Sequence, residues 1–389
     1  MENQRLAHLA GIAMLLGLFI PHTSFYLMAL NPIMVFLLYF IARKKNKPSL
    51  GTFRLMIILI VIISLFSSIV FLSHSSSKYI YASLFFILLM VCFPLMGREK
   101  IPGAYYFFSL GLILFSQLVY LVNAPSVQSL IETFYPVGET EFDYYEYMTQ
   151  NIDYQSVLSF RLGGLFRNAN HTARYVCLIT GVYLADRPND GLRRISFISV
   201  IALVSVVLSG SRTGLVVILL IIGVFILRNH SISRRVKAFI FAATVIALIP
   251  FFIHGSSLVR GFNINQGYYD SANVKWSVFL DYLTQDNSFF HLLFGYSDPR
   301  TFSPSSYGIM SIFDSEYGDM VYCYGFLGFI FVCLFYLKSL KLCKKENRVF
   351  FFFLLWSITS TVLLSYRSSF LFMLFLSHFL AVKREPLLR

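Results

Sequence analysis

The feature that most constrains the fold is a series of unbroken apolar segments, each close to the length of a membrane span. Crossing the hydrocarbon core of a bilayer takes about 20 apolar residues in a helix, and lipid leaves main-chain polar groups no other partner. We therefore predict an all-α polytopic membrane protein, one integral membrane domain over residues 1–389, with about twelve transmembrane helices. The predicted spans are 6–20, 25–42, 55–73, 79–96, 104–124, 170–185, 195–208, 214–227, 238–254, 318–337, 349–365 and 370–382.

Charge supports this interpretation and predicts an orientation. Only 13% of the residues are charged, against about 25% in soluble domains. With both termini in the cytoplasm, 23 of the 32 Lys and Arg residues and 6 of the 19 acids fall on the cytoplasmic side. Such asymmetry follows the positive-inside rule, so we attribute the net charge of +13 to topology and predict no nucleic-acid partner.

Two long loops are predicted on the outer side of the membrane. Residues 125–169 form an acidic, tyrosine-rich loop, and residues 255–317 form a larger loop rich in Gly, Ser, Asn and aromatic residues. Aromatic rings beside polar side chains suit a sugar-binding surface, but ordinary interfacial loops have the same composition. Neither loop contains any of the five cysteines, and no metal-binding spacing is present.

Nine Lys and Arg residues on the outer side oppose the orientation rule, so topology does not explain them. Three of these arginines lie in or directly after the stretch "RLGGLFRNANHTA", residues 161–173. A helix that starts near Arg167 would place Arg167, His171 and Arg174 on one face. Arg212 lies in the short turn "SGSRTG", and Arg367 lies in the similar turn "SYRSS".

Arginine at this depth is costly unless it is paired or faces a polar cavity. A guanidinium can bind two phosphate oxygens at once, so such a cluster would hold a lipid-linked diphosphate. The alternative is that each arginine reaches lipid headgroups or an outer acid by itself. The predicted diphosphate-binding residues are Arg161, Arg167, His171, Arg174, Arg212, Arg260, Arg300 and Arg367.

A second polar group precedes the tenth span, in "FDSEYGDMVYCYGFLG", residues 313–328. Asp314, Glu316 and Asp319 fit helix capping, since acids in a first turn complement the helix dipole. Asp314 or Glu316 could equally be a catalytic base that takes a proton from a sugar hydroxyl. The two roles are compatible, because a capping position also fixes a side chain.

Taken in order, the motifs "RLGGLFRNANHTA", "SGSRTG", "FGYSDP" and "DSEYGDMVYCYGFLG" resemble the superfamily of O-antigen polymerases and ligases. In the ligases a histidine stands where this chain has Asp314. It is followed by Asn, Ser or Gln, which is Ser315 here, then by nine residues and a Gly-x-x-Gly that matches Gly325 and Gly328. The missing histidine favours the polymerase. Arg161 and Arg212 match arginines of the first two motifs, and Arg260 matches a further arginine by position only.

The resemblance implies a metal-independent glycosyltransferase, without a cofactor, of the bacterial inner membrane, with its active site facing the periplasm. Its substrates would be undecaprenyl-diphosphate-linked oligosaccharides, polymerised for lipopolysaccharide biosynthesis. Besides membrane lipid, a chain-length regulator protein is an implied partner. The alternatives are a ligase that transfers polymer to the lipid A core and, from another class, a flippase or transporter of lipid-linked oligosaccharides.

Overall fold

A computed structural model describes residues 2–19, 100–134, 162–166, 169–187, 190–228, 289–295, 316–343 and a few single positions, with residues 371, 372 and 374–376 near the carboxyl end. Every regular element in these ranges is helical and none is a strand, which confirms the all-α class for the described residues. The α-helices are α1 Glu2–Phe19, α2 Gly103–Leu121, α3 Pro125–Phe134, α4 Ala169–Asp186, α5 Leu192–Ser209, α6 Arg212–Arg228, α7 Phe289–Phe294 and α8 Glu316–Leu342, and a 3₁₀ turn covers Gly164–Phe166.

The twelve predicted spans are represented unequally. Helices α1, α2, α4, α5, α6 and α8 match the predicted spans at 6–20, 104–124, 170–185, 195–208, 214–227 and 318–337. The predicted spans at 25–42, 55–73, 79–96, 238–254 and 349–365 lie outside the described residues, and 370–382 is described only at five helical positions. The number of spans therefore stays a prediction.

The predicted outer loop 125–169 begins with a helix. Helix α2 ends in a left-handed residue, Asn123 (φ 52°), and the N–H of Ala124 donates to the carbonyl of Val119 at 3.1 Å. This main-chain pattern closes a helix, and Pro125 then suits the first position of the next one. Helix α3 therefore follows α2 almost at once, and Ile131 is buried against Val119.

Helices α1 and α2 run parallel. Near their amino ends, Nδ1 of His8 lies 3.2 Å from the hydroxyl of Tyr105. Towards their carboxyl ends, Phe19 packs against the cluster that contains Val119.

Helix α4 runs antiparallel to α2. Tyr183, near the end of α4, packs edge-on against Tyr106, near the start of α2, with ring centroids 5.6 Å apart. Helix α5 returns parallel to α2, since Phe107 contacts Phe197 and Gln117 contacts Ser205.

Helix α6 runs parallel to α4, because Cys177 in the middle of α4 contacts Gly214 near the start of α6, and Gly181 faces Ile221 further along both helices. The directions of all five helices match the alternation that the orientation predicts for these spans. One end of the bundle carries Lys100, Arg187, Arg193 and Arg194, all on the predicted cytoplasmic side, and we call it the basic end. We call the opposite end, with Gln117, Leu162–Phe166 and Ser209–Gly214, the polar end.

Helix α4 is the central helix of the described part. Its residues from Thr172 to Asp186 are all buried, as expected for a helix surrounded by others. It packs on α2, α5 and α6. Helix α4 begins within a few residues of the Gly164–Phe166 turn. The central helix therefore connects this turn directly to the core of the bundle.

Several helices carry apolar stripes on their outer faces. Phe197, Val200 and Val204 are exposed at helical spacing on α5, as are Phe326, Ile330, Leu334 and Leu337 on α8. By length and composition, α2 is the helix among the described residues that could cross a membrane, and shorter apolar helices cover Ala7–Phe19 and Thr213–Arg228. Its 19 residues give a length of about 28 Å.

Helix α8 is interrupted at Gly325. Gly325 has φ 66° and ψ 179°, so two helical pieces meet there rather than one continuous rod. A Cβ at this position would overlap the carbonyl of Leu293 and the N–H of Phe294. Glycine is therefore required both by the backbone angle and by the close approach of α7.

Candidate functional site

The segment Leu162–Phe166 lies in a cradle of polar groups at the polar end. The side-chain amide of Gln117 donates to the carbonyl of Leu162 at 3.0 Å, and the N–H of Leu165 donates to Oγ of Ser116 at 3.0 Å. The hydroxyl of Thr172 donates to the carbonyl of Gly163 at 2.5 Å. Side chains from α2 and α4 therefore fix the main chain of this segment.

Gly164 fits this cradle because it has no side chain. Its φ is 53°, in the left-handed region that other residues rarely adopt. A Cβ there would overlap Oγ of Ser116 and lie 3.1 Å from Cγ of Gln117. The second glycine in "RLGGLF" thus has a physical reason, which is close packing of the turn on α2.

The turn "SGSRTG" joins α5 to α6 by two helix caps. Gly210 ends α5 in the left-handed conformation (φ 60°), and its N–H donates to the carbonyl of Val207 at 2.9 Å. Ser211 caps α6, since its Oγ accepts the N–H of Gly214 at 3.3 Å. Arg212 is therefore the first residue of α6, where the helix dipole already makes the end positive.

A main-chain hydrogen bond joins the first two motifs. The N–H of Leu162 donates to the carbonyl of Leu208 at 3.0 Å. Arg161 directly precedes Leu162 and lies outside the described residues. Arg212 follows Leu208 by four positions, and the structure describes its main chain but not its side chain. Leu162, which follows Arg161, and Leu208, in the last turn before Arg212, are thus brought together at the polar end.

Helix α4 carries two further predicted site residues. His171 is half-buried, and its ring meets that of Tyr175 with centroids 6.4 Å apart. Arg174 is 0% exposed, although it lies only one to two turns into the helix. Helix α4 is described from Ala169 onwards, and Arg167 lies outside the described residues. The predicted stripe is therefore described only at His171 and Arg174.

The last two motifs also pack together. Gly295, at the start of "GYSDP", is buried with φ 80° directly after α7, and α7 lies against α8 at the Gly325 break. Glu316 is the first residue of α8, and its side chain is not described. Among the remaining predicted site residues, those outside the described ranges are Arg167, Arg260, Arg300, Asp314 and Arg367.

The sequence interpretation overlooked the polar residues that build the cradle. Gln117 and Ser116 lie within the predicted span 104–124, and Ser205 lies within 195–208. All three are at most 1% exposed. A glutamine inside an otherwise apolar span was the available signal, because an amide in such a segment needs partners inside the protein.

The basic end is fastened in a different way. Nζ of Lys100 donates to the carbonyl of Asp186 at 2.8 Å, and Nη2 of Arg187 donates to the carbonyl of Ile101 at 3.0 Å. The hydroxyl of Tyr183 donates to Oδ2 of Asp190 at 2.7 Å. These bonds tie the start of α2 to the connection between α4 and α5.

In the described ranges, no three His, Cys, Asp or Glu side chains come together as metal ligands would. The metal-independent mechanism stays a prediction.

Two comparisons with known proteins return nothing: no family model matches the chain, and no curated protein matches it either.

Proposed function

We propose that the protein is an integral membrane glycosyltransferase that polymerises undecaprenyl-diphosphate-linked oligosaccharide units into a surface polysaccharide of the O-antigen type. The chain would cross the bacterial inner membrane about twelve times, with the basic end in the cytoplasm and the polar end in the periplasm. Three features support this placement: the alternating helix directions, the basic residues at one end, and the exposed apolar stripes on α5 and α8.

The observation that carries the proposal is the hydrogen bond between Leu162 and Leu208 at 3.0 Å. It joins the segment that follows Arg161 to the last turn before Arg212. In the proposal, the guanidinium groups of Arg161 and Arg212 hold the diphosphate together, each binding two of its oxygens. Arg212 also begins a helix, where a cation is unfavourable unless an anion lies nearby.

The proposed reaction transfers the growing chain from its carrier to a new lipid-linked unit. A hydroxyl at the non-reducing end of the new unit attacks the anomeric carbon of the growing chain. The bond to the diphosphate oxygen breaks, and the carrier leaves as undecaprenyl diphosphate. Negative charge develops on the leaving diphosphate, and Arg161 and Arg212 would stabilise it. Asp314, or Glu316 beside it, would accept the hydroxyl proton.

The other predicted binding residues fall into two groups in this proposal. His171 and Arg174 lie on α4, close in sequence to the cradle. His171 is half-buried and would contact the diphosphate, whereas Arg174 has no exposed surface and would contribute its positive charge without contact. Arg167, Arg260, Arg300 and Arg367 belong to outer segments and would contact the diphosphates or the sugars of the two substrates.

The test is extension of a defined lipid-linked repeat by the purified protein, with released undecaprenyl diphosphate as the second readout. We expect Arg161→Ala and Arg212→Ala each to reduce the rate by about 10²–10³-fold, the usual effect of removing one oxyanion donor. Arg193→Ala and Arg194→Ala are matched controls, because both arginines are exposed at the basic end. Full extension by both Arg161→Ala and Arg212→Ala would contradict the diphosphate role.

Two observations separate the alternatives: what remains attached to the lipid core in cells that lack the protein, and extension by the purified protein. Loss of a polymerase leaves single units attached to the lipid core in cells, whereas loss of a ligase leaves none. A flippase would translocate lipid-linked units without lengthening them, so extension in detergent by the wild-type protein would exclude transport as the whole function.

A further inference from the structure

Gln117 is a fully buried amide at the polar end of α2, with 0% of its surface exposed. Its Nε2 donates to the carbonyl of Leu162 at 3.0 Å and to the carbonyl of Ser205 at 2.9 Å. Its Oε1 accepts a hydrogen bond from the hydroxyl of Ser205. Both amide hydrogens and the amide oxygen are therefore used, which offsets the large penalty for burying such a group.

These bonds connect three parts of the chain that are distant in sequence. Gln117 belongs to α2, Leu162 to the cradle segment, and Ser205 to α5, one turn before the Ser209 end. The carbonyl of Leu162 is held by Gln117, and its N–H is held by Leu208. The residue that follows Arg161 is thus fixed on both sides of its main chain.

We propose that Gln117 is a positioning residue that fixes Leu162, the residue after Arg161, against the last turn of α5, which precedes Arg212. The inference rests on the proposed function for its catalytic consequence, but its geometric part stands on the cradle alone. Gln117 has no exposed surface, so it acts through the segment that it holds and not by touching substrate. Without its amide, Leu162 and Ser205 lose their shared partner, and the carbonyl of Leu162 loses its bond to α2. The bonds of Leu165 to Ser116 and of Leu162 to Leu208 remain, so the segment stays attached but Leu162 is held less firmly.

The nearby Gln128 provides a matched control. Its Nε2 donates to the carbonyl of Val119 at 3.3 Å and to Oδ1 of Asn123 at 3.4 Å, all within the α2–α3 junction. Gln128→Leu therefore removes an amide at the same end of the bundle without touching either arginine motif.

The first experiment is a double-mutant cycle in the extension assay. We expect Gln117→Leu to lower kcat by about 10²-fold, the scale for misplacing a reacting group by about 1 Å. Gln128→Leu should have little effect. In an Arg161→Lys background, Gln117→Leu should lower kcat much less, because the group that it positions is already altered. Equal effects of Gln117→Leu in both backgrounds would overturn the inference, since general destabilisation multiplies onto either one.

The second experiment measures the geometry without turnover. Spin labels at Arg161→Cys and Arg212→Cys, in a chain with its native cysteines replaced by alanine, report the distance between the two positions. We expect a narrow distance distribution that broadens with Gln117→Leu and stays narrow with Gln128→Leu. A distribution unchanged by Gln117→Leu would overturn the positioning role. A broadened distribution together with full activity of Arg161→Ala and Arg212→Ala would instead sink the proposed function and leave the geometric inference intact.

Discussion

The two ends of the described bundle are held together by different chemistry. At the basic end, charged and half-buried side chains donate to main-chain carbonyls, as Arg187 does to Ile101. At the polar end, uncharged side chains with no exposed surface enclose a glycine-rich turn, as Gln117 and Ser116 do. Charged bonds at a wet surface can be replaced by water, whereas buried neutral bonds cannot.

The comparison indicates where geometric accuracy is needed. The basic end has to keep helices together, and several alternative contacts would serve that purpose. The polar end holds one short segment in one conformation, and both flanks of that segment carry arginine. We therefore expect substitutions at the polar end to affect activity more than stability, and substitutions at the basic end to do the reverse.

The largest effect is expected from Gly164→Ala at the polar end. A left-handed φ disfavours alanine by about 1–2 kcal/mol, and the new methyl group would overlap Oγ of Ser116. The turn would have to leave the cradle, so chain extension should be lost while the helices remain assembled. Extension activity and thermal unfolding in detergent should be measured on the same preparation.

Gly111→Ala is the control for that substitution, because a Cβ at Gly111 would meet nothing within 4 Å. It should leave activity unchanged and raise the unfolding temperature slightly, because alanine is about 0.5–1 kcal/mol more favourable than glycine inside a helix. Retained activity in Gly164→Ala would mean that the turn tolerates movement and that the cradle does not set the arginine geometry.

A smaller effect, on stability and not on activity, is expected from Arg187→Met at the basic end. The change removes the bond to the carbonyl of Ile101 and should lower the free energy of unfolding by about 1 kcal/mol, the usual size for one hydrogen bond. Activity per folded molecule should stay near that of the wild type. A drop in kcat that exceeds the loss of folded protein would break the contrast between the two ends.

The smallest effect is expected from Tyr183→Phe. The ring contacts with Tyr106 and Phe107 persist, and only the hydroxyl bond to Asp190 is lost. Since Asp190 is partly exposed, water can replace that partner, and the free energy of unfolding should fall by at most about 1 kcal/mol. Denaturant unfolding followed by circular dichroism, with the extension rate as the second readout, would sharpen the comparison.

Apolar run length predicted the helices well where they are described. The span at 170–185 is found as Ala169–Asp186, and the span at 214–227 as Arg212–Arg228. Lys and Arg counts predicted which segments share an end, and Lys100 does contact Asp186, next to Arg187. Both signals are local or additive, so a single sequence is enough to read them.

Three features escaped the sequence interpretation, two of them because they depend on distant partners. Gln117 meets Leu162 across 45 positions, and no spacing rule links an amide to a carbonyl so far away. The break at Gly325 depends on the approach of α7. Helix α3 follows from the cap at Asn123. The acidic, tyrosine-rich composition further along residues 125–169 favoured a loop prediction for the whole segment.

The interruption at Gly325 divides α8 into two helical pieces, one before this residue and one after it. Because the main chain is not helical at Gly325, helical hydrogen bonding does not run regularly through it. A shift of the first piece need not be transmitted to the second. The first piece begins at Glu316, and α7 lies against α8 at Gly325, where the two pieces meet. We therefore expect a change in the position of α7 to reorient the first piece of α8 relative to the second, and not to move α8 as one rigid helix.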